Sequence, residues 1–313
     1  MRPRRREEWR KLARVIDEIR ADLEEIAKDS ALYEETHFDR RVEAIDYLEF
    51  NIVDRIEGLL LTPTPPQELS LLKQDAEGVK RQLEKIDARL FRRLRADLRA
   101  GVGTGTALKG QIEKYAAHHS RPRRPSDPID YDNLDVFIQG LLRFHAPPRE
   151  TKTREPEMVA YQPTPARIIL ELVEKAALTA TDVFYDLGSG LGQVPILVHL
   201  LSGARAKGVE FEPAYCDYAR GCAAELNLSR VEFVNADLRR ADYSDGTVFF
   251  MYTPVEGRLL QEVLDKLRGE SRRRTIRLFT YGPCTPKVAR ASWLRGVAPQ
   301  GDHIYKLGAF ASI

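Results

Sequence analysis

Residues 182–193, Asp-Val-Phe-Tyr-Asp-Leu-Gly-Ser-Gly-Leu-Gly-Gln, restrict the folds open to this chain more than any other stretch. An apolar run ends in Asp186, glycines follow at 188, 190 and 192, and Val194-Pro195-Ile196-Leu197-Val198 opens a helical pattern. A strand, a glycine turn and a helix in that order form a nucleotide-cofactor site. Glycine lets backbone and ligand approach closely, and a helix start offers free amides. Pro195 is tolerated only within a first helical turn, which pins the helix start beside Gly192 and directs those amides toward a ligand. A dinucleotide fingerprint, G-x-G-x-x-G/A, requires a small third residue. Counted from Gly188 that residue is Gln193, which is too large.

The rhythm around this turn predicts an α/β domain. Thr164 and Pro165 read as a helix N-cap and first helical residue, ahead of Ile168, Ile169, Leu172 and Val173. Strands are expected near 183–187, 206–210, 231–235, 247–252 and 275–281, with helices near 193–202, 213–226 and 256–267. Strands joined by crossover helices make a parallel sheet. Two further strand-like pieces, near 292–297 and 303–311, are close enough for a terminal hairpin. The expected fold is a doubly wound, mostly parallel, seven-stranded sheet preceded by an all-α helical bundle.

That bundle is read from the first 119 residues. Trp9, Leu12, Ile16, Ile19, Leu23 and Ile26 recur at three- and four-residue steps, as do Leu69, Leu72, Ala76, Val79, Leu83, Ile86 and Leu90. Phe38, Val42, Ile45, Ile52, Ile56 and Leu59 mark a third helix, stopped by Thr62-Pro-Thr-Pro-Pro66. Core packing is the plain reading of these stripes. The glycines at 101, 103 and 105 follow a helix and read as a connection. Residues 120–156 read as a proline-rich, charged linker with a short helix near 134–144 and an unstructured stretch at 146–156, where a lid would sit. Residues 157–313 form the expected catalytic domain.

Composition narrows the partners. The 313 residues carry 49 basic and 47 acidic groups, a net charge of +2 too small to imply nucleic-acid or membrane binding. No apolar run is long enough to span a bilayer, and the basic N-terminus lacks the apolar segment of a secretory signal. Three cysteines without C-x-x-C spacing support neither a disulfide framework nor a zinc site, so no metal is expected. A cytoplasmic protein is the resulting expectation.

Ligands of open parallel sheets lie across the carboxyl ends of the strands. The side chains to read there are Asp186 on the first strand, Glu210 on the second, Asp237 with Leu238 after the third, Tyr252-Thr253-Pro254 after the fourth, and Tyr281 after the fifth. Glu210, in preference to Glu212, would accept from ribose hydroxyls. Asp237 would meet an adenine amino group, and Leu238 its ring.

The spacing from Asp186 through Gly188, Gly190 and Gly192 resembles motif I of the class I S-adenosylmethionine-dependent methyltransferases. Tyr161-Gln-Pro-Thr164-Pro165 resembles a Tyr-x-Pro-Thr/Ser motif ahead of motif I in bacterial and mitochondrial lysine methyltransferases of this fold. Together with D-L-G-S-G-x-G-Q, it makes residues 155–313 similar to the non-SET histone lysine methyltransferases of the disruptor-of-telomeric-silencing type. The resemblance implies S-adenosylmethionine as cofactor, with Asp186 attracting its amino group and Tyr161, Thr164 and Gln193 joining the glycines at the site. It also implies an acceptor at Tyr252, Thr253 and Pro254. There the histone enzymes carry asparagines, and the amino-methylating nucleobase enzymes carry Asn/Asp-Pro-Pro-Tyr/Phe. This chain has neither, and no cysteine for attack on cytosine. Tyr252 and Tyr281 suit a narrow channel around an aliphatic amine, so a protein lysine is the expected acceptor. Nucleic acid or a small molecule is the nearest rival, and a non-catalytic cofactor-binding protein the alternative in another class.

Overall fold

The computed structural model describes residues 3–62, 65–116, 131–144, 146–297 and 304–313. The linker expected at 120–130, and the boundary at 119–120, lie outside these residues. The chain forms two compact units. The first holds residues up to Arg93 with the end of the fifth helix, and the second holds 94–112 and everything from the sixth helix onward.

In the first unit, α1 (Pro3–Lys28), α2 (Phe38–Tyr47), α3 (Asp54–Leu60) and most of α4 (Gln67–Arg99) enclose a core of Ile16, Ile19, Leu23, Leu48, Ile52, Ile56, Leu69, Ala76 and Leu83. The single helix expected from Phe38 to Leu59 is α2 and α3 joined by a π-helical segment, Leu48–Val53. Its wider turns aim Leu48, Ile52 and Ile56 at the core, each fully buried. Trp9, expected in the stripe, is exposed. Arg41 is fully buried, and each of its three nitrogens is engaged: Nε donates to Asp87 at 2.7 Å, Nη1 to the carbonyls of Leu32 and Glu34, and Nη2 to that of Glu35.

The second unit carries α5 (Thr106–Ala116, its first turns), α6 (Asn133–Leu142), α7 (Ala166–Ala176) and a seven-stranded sheet. Strands β1 (Val183–Leu187), β2 (Arg205–Glu210), β3 (Val231–Asn235), β4 (Val248–Met251) and β5 (Arg277–Thr280) are parallel. The hairpin of β6 (Leu294–Gly296) and β7 (Gly308–Ser312) adds antiparallel to β5 through β7, giving the order β3-β2-β1-β4-β5-β7-β6. Helices α8 (Gln193–Ser202), α9 (Pro213–Glu225) and α10 (Gly257–Ser271) supply crossovers, and α11 (Thr285–Val288) is a turn the periodicity did not predict. β1 and β4 are buried almost throughout, as strands covered on both faces must be. The chain winds from β1 to β2 in one direction and to β4 in the other, so a crevice opens at their carboxyl ends. Among the described residues, no helix is long and apolar enough to cross a membrane.

One helix start differs from expectation. Pro165, with ψ 133°, occupies the N-cap position of α7, and Ala166 is its first residue, so Thr164 makes no cap. The cap comes from a distance: Asp135 Oδ1, in the first turn of α6, accepts from Ala166 N at 2.8 Å. Asp135 also closes a capping box with Asp132, accepting its N–H through Oδ2. Burial pushes its carboxyl up to about 6, against the pull of these two amides. A folded-state pKa above the ordinary 3.8 makes the contribution to stability greatest at low pH, and it is lost as pH rises through about 6. Thermal or urea unfolding is therefore expected to show Asp135→Asn removing up to ~3 kcal/mol of the decline between about pH 4 and pH 6. Asp135→Ala, which also strips the cap, should lower stability at pH 7 by about 1–2 kcal/mol.

Candidate active site

The crevice is built around the turn after β1. Gly188 and Gly190 have φ of 83° and 50°, conformations that side chains rarely adopt. Each is also closed to a Cβ by a neighbour: Pro254 stands 2.4 Å from the atom that Gly188 would carry, and the Tyr161 ring 2.3 Å from that of Gly190. At Gly192 the obstruction is Phe233 and Ala219. The glycines are thus required by protein side chains packed against the turn.

The turn's amides differ from expectation too. Gly188 N and Ser189 N donate to Val209 O at 2.9 and 3.1 Å, and Gly192 N to Ser189 O at 2.9 Å. Gly190 N donates to Glu210 Oε2 at 2.8 Å. Four amides that could have cradled a phosphate are therefore held by the protein itself. A diphosphate is further opposed by Asp186 and Glu210, whose charges act on one another. Asp186 is buried, and that burial, reinforced by the Glu210 charge, raises its carboxyl well above the usual range. Burial also raises Glu210, although the amides of Glu212 and Gly190 pull the other way. Beside them Ser189 Oγ is buried without a hydrogen-bond partner among the described residues. A buried carboxyl, a half-buried one and an orphaned hydroxyl in an open crevice fit a ligand bringing a cation and hydroxyl donors, as the amino-acid and ribose parts of S-adenosylmethionine do.

Tyr161 packs edge-on against Tyr215, with centroids 5.5 Å apart, and Gln193 Nε2 donates to the carbonyl of buried Thr164 at 3.4 Å. The first contact fixes the Tyr-Gln-Pro-Thr segment against α9 and the second against the start of α8. Glu212 is fully engaged elsewhere. Although burial opposes it, hydrogen bonds from Thr151, Ala214 and Lys152 bring its carboxyl down to about 2. The stretch at 146–156, expected to be unstructured, is held by those bonds, by Glu150 on Tyr215, and by Glu155 on Arg239 at 2.6 Å. Asp237 is gripped by the same Arg239, whose Nε lies 2.9 and 3.0 Å from its two oxygens. Leu238 lines the crevice beside it.

At the end of β4, Tyr252 donates from its hydroxyl to Gln162 Oε1 at 3.1 Å. Thr253 is buried and held at φ 42°; its Oγ1 donates to Tyr281 O and accepts from Cys284 N, each at 3.1 Å. Pro254 seats on Gly188, and its carbonyl accepts from Val159 N at 3.0 Å. Tyr281, expected in a channel, is fully buried and does not line the crevice. Its ring sits 4.8 Å from that of Tyr252 and 5.8 Å from that of Tyr305, and Tyr305 reaches the crevice wall. Sequence reading missed Tyr305, which falls inside the strand expected near 303–311 but lies ahead of β7, which begins at Gly308. It also missed Arg239, Gln162 and Ser189, whose only local signal is proximity to Asp237, Tyr161 and the glycine turn.

The strand order, the paired carboxyls at the switch point and the closed glycine turn define a class I S-adenosylmethionine-dependent methyltransferase. Within that class the chain resembles the family described as histone methylation protein DOT1, whose model matches residues 157–253. No curated protein matches the chain. Among solved structures, an RNA methyltransferase from Salinibacter ruber in complex with S-adenosyl-L-homocysteine is 29% identical, covering 48% of this chain and 92% of its own, with a TM-score of 0.38. A putative S-adenosyl-L-methionine-dependent methyltransferase from Methanococcus maripaludis is 12% identical over 46% and 82% of the two chains, at a TM-score of 0.37. The ribosomal protein L11 methylase of Lactobacillus delbrueckii subsp. bulgaricus is 14% identical over 47% and 76%, at 0.38.

Two outcomes test the geometry. Asp186 must be ionised to attract a cation and its pKa is raised, so calorimetric affinity for S-adenosylmethionine should weaken as pH falls through that raised value. Asp186→Asn should bind roughly 10- to 100-fold more weakly at alkaline pH, with the pH dependence flattened. Gly190→Ala should displace Tyr161 and weaken binding at least tenfold, on the order of 1.4 kcal/mol, and adding Tyr161→Ala should restore part of it.

Proposed function

We propose that this methyltransferase acts on the side-chain amine of a protein lysine. The observation that carries the reading is the aromatic wall at the acceptor end, where Tyr252 and Tyr305 line the crevice with Tyr281 packed behind them. In this reading Asp186 holds the amino group of the cofactor, Glu210 the ribose hydroxyls, and Asp237 with Leu238 the adenine. Tyr161, Thr164, Gln193, Gly188, Gly190 and Gly192 shape the pocket. Residues 157–313 are the catalytic domain, and the helices ahead of them an accessory module.

When bound, the cofactor supplies an activated sulfonium methyl group. The protein's remaining tasks are alignment and exclusion of water. An amine must arrive neutral, and a dry aromatic surface favours the neutral form by desolvation. The Thr253 hydroxyl is an unsuitable base, because it is held between Tyr281 O and Cys284 N. The Tyr252 hydroxyl is anchored on Gln162 and its pKa is raised by burial, so it stays protonated and orients its ring. Pro254, seated on Gly188, sets the distance between the acceptor strand and the cofactor turn. The match to a histone methylation family supports a protein acceptor.

Incubation of a lysate with tritiated cofactor tests this proposal. Label should resist nuclease, yield to protease, and appear as methyl-lysine on hydrolysis; nuclease-sensitive label would overturn it. Tyr252→Ala should reduce kcat/KM at least tenfold, about 1.4 kcal/mol, while leaving cofactor affinity within about twofold. Tyr252→Phe, which keeps the ring, should retain most activity.

A further inference from the structure

A net charge of +2 conceals a row of exposed cations on α4. Its charged residues facing the rest of the first unit all have ionic partners. Glu68 pairs with Arg20, Lys73 with Glu57, Lys80 with Glu49, Asp87 with Arg41 and Arg93 with Glu35. The outward side is different. Arg81, Lys85, Arg89 and Arg92 follow one another at steps of four, four and three, which places them in one row on the helix. All four are exposed. Lys85, Arg89 and Arg92 make no ion pair among the described residues, and Arg81 meets only Glu77, at 3.5 Å. Gly78 and Ala88 lie in the same row and add no bulk, and Glu77 and Glu84 border it, each also reached by a lysine of the packed side, Lys73 and Lys80.

Ordinary solvated helix faces mix signs, because cations four residues apart repel and an interposed acid relieves them. Here the bordering acids Glu77 and Glu84 are partly occupied by Lys73 and Lys80, and the four cations stand in a line about 16 Å long. Such a line complements a rigid row of evenly spaced anions. It carries no aromatic residue, so it lacks the stacking platforms that bind single-stranded nucleic acid. We propose that this face of α4 docks on the phosphate backbone of a DNA duplex without reading its sequence. The proposal is independent of the identity of the methyl acceptor.

The test is fluorescence anisotropy of the full chain with a labelled duplex of about 24 base pairs, titrated between about 50 and 200 mM salt. Three to four phosphate contacts predict a log–log salt slope of about −3. The triple variant Lys85→Gln/Arg89→Gln/Arg92→Gln changes only exposed side chains, and circular dichroism checks its fold. It should weaken binding at least ~10-fold at low salt and flatten the slope by roughly 2.7. Arg272→Gln/Arg273→Gln, which removes exposed charge from the second unit, should leave both quantities nearly unchanged. The proposal is overturned if the two variants lose binding equally, if the parent shows no salt-dependent binding, if single-stranded DNA binds more tightly, or if polyglutamate of matched charge competes equally.

Discussion

One hydrogen bond, from Gly190 N to the Glu210 carboxylate, holds the turn after β1 to the end of β2 and so fixes the floor of the crevice. It explains why the turn can do without a ligand to order it. It also brings a second carboxylate toward Asp186, and burial makes both reluctant to ionise. A site with this balance discriminates by charge before shape matters: an anionic cofactor meets two acids and a turn with four of its amides already engaged, while a cationic one relieves both acids. Tyr161, Pro254 and Phe233 then pack where glycine side chains would have been, locking the arrangement from three sides.

Interactions between neighbours in sequence were legible in advance, and interactions across the fold were not. The parallel strands, the terminal hairpin and the acids at the ends of β1 and β2 follow from alternation and from turn residues, which are local signals. The cap on α7 comes from Asp135, 31 residues upstream, so Thr164-Pro165 alone suggested a conventional N-cap. The grip of Arg239 on Asp237 lies only two residues away, yet its link to Glu155 spans 84 and leaves no periodic trace. Tyr281 and Tyr305 illustrate the limit in another way. Both are tyrosines near strand ends, and only packing decides which reaches the crevice and which lies behind it.

The π-helical segment Leu48–Val53 shows the same limit in the first unit. Periodicity found the helix and most of its buried residues, but the extra residue that widens the turn has no composition of its own. Buried Arg41 is similar: its four acceptors are three backbone carbonyls and Asp87, none identifiable from the sequence around it.

Thr253 is β-branched, and its backbone stands in a region that costs such a residue on the order of 1–3 kcal/mol. Two hydrogen bonds from one hydroxyl, to Tyr281 O and from Cys284 N, keep it there. The backbone of residues 252–254 is therefore held in place by β5 and the turn after it. Tyr281 and Cys284, which supply these two bonds, do not line the crevice themselves, so its shape beside Gly188 depends on residues that a bound molecule does not touch.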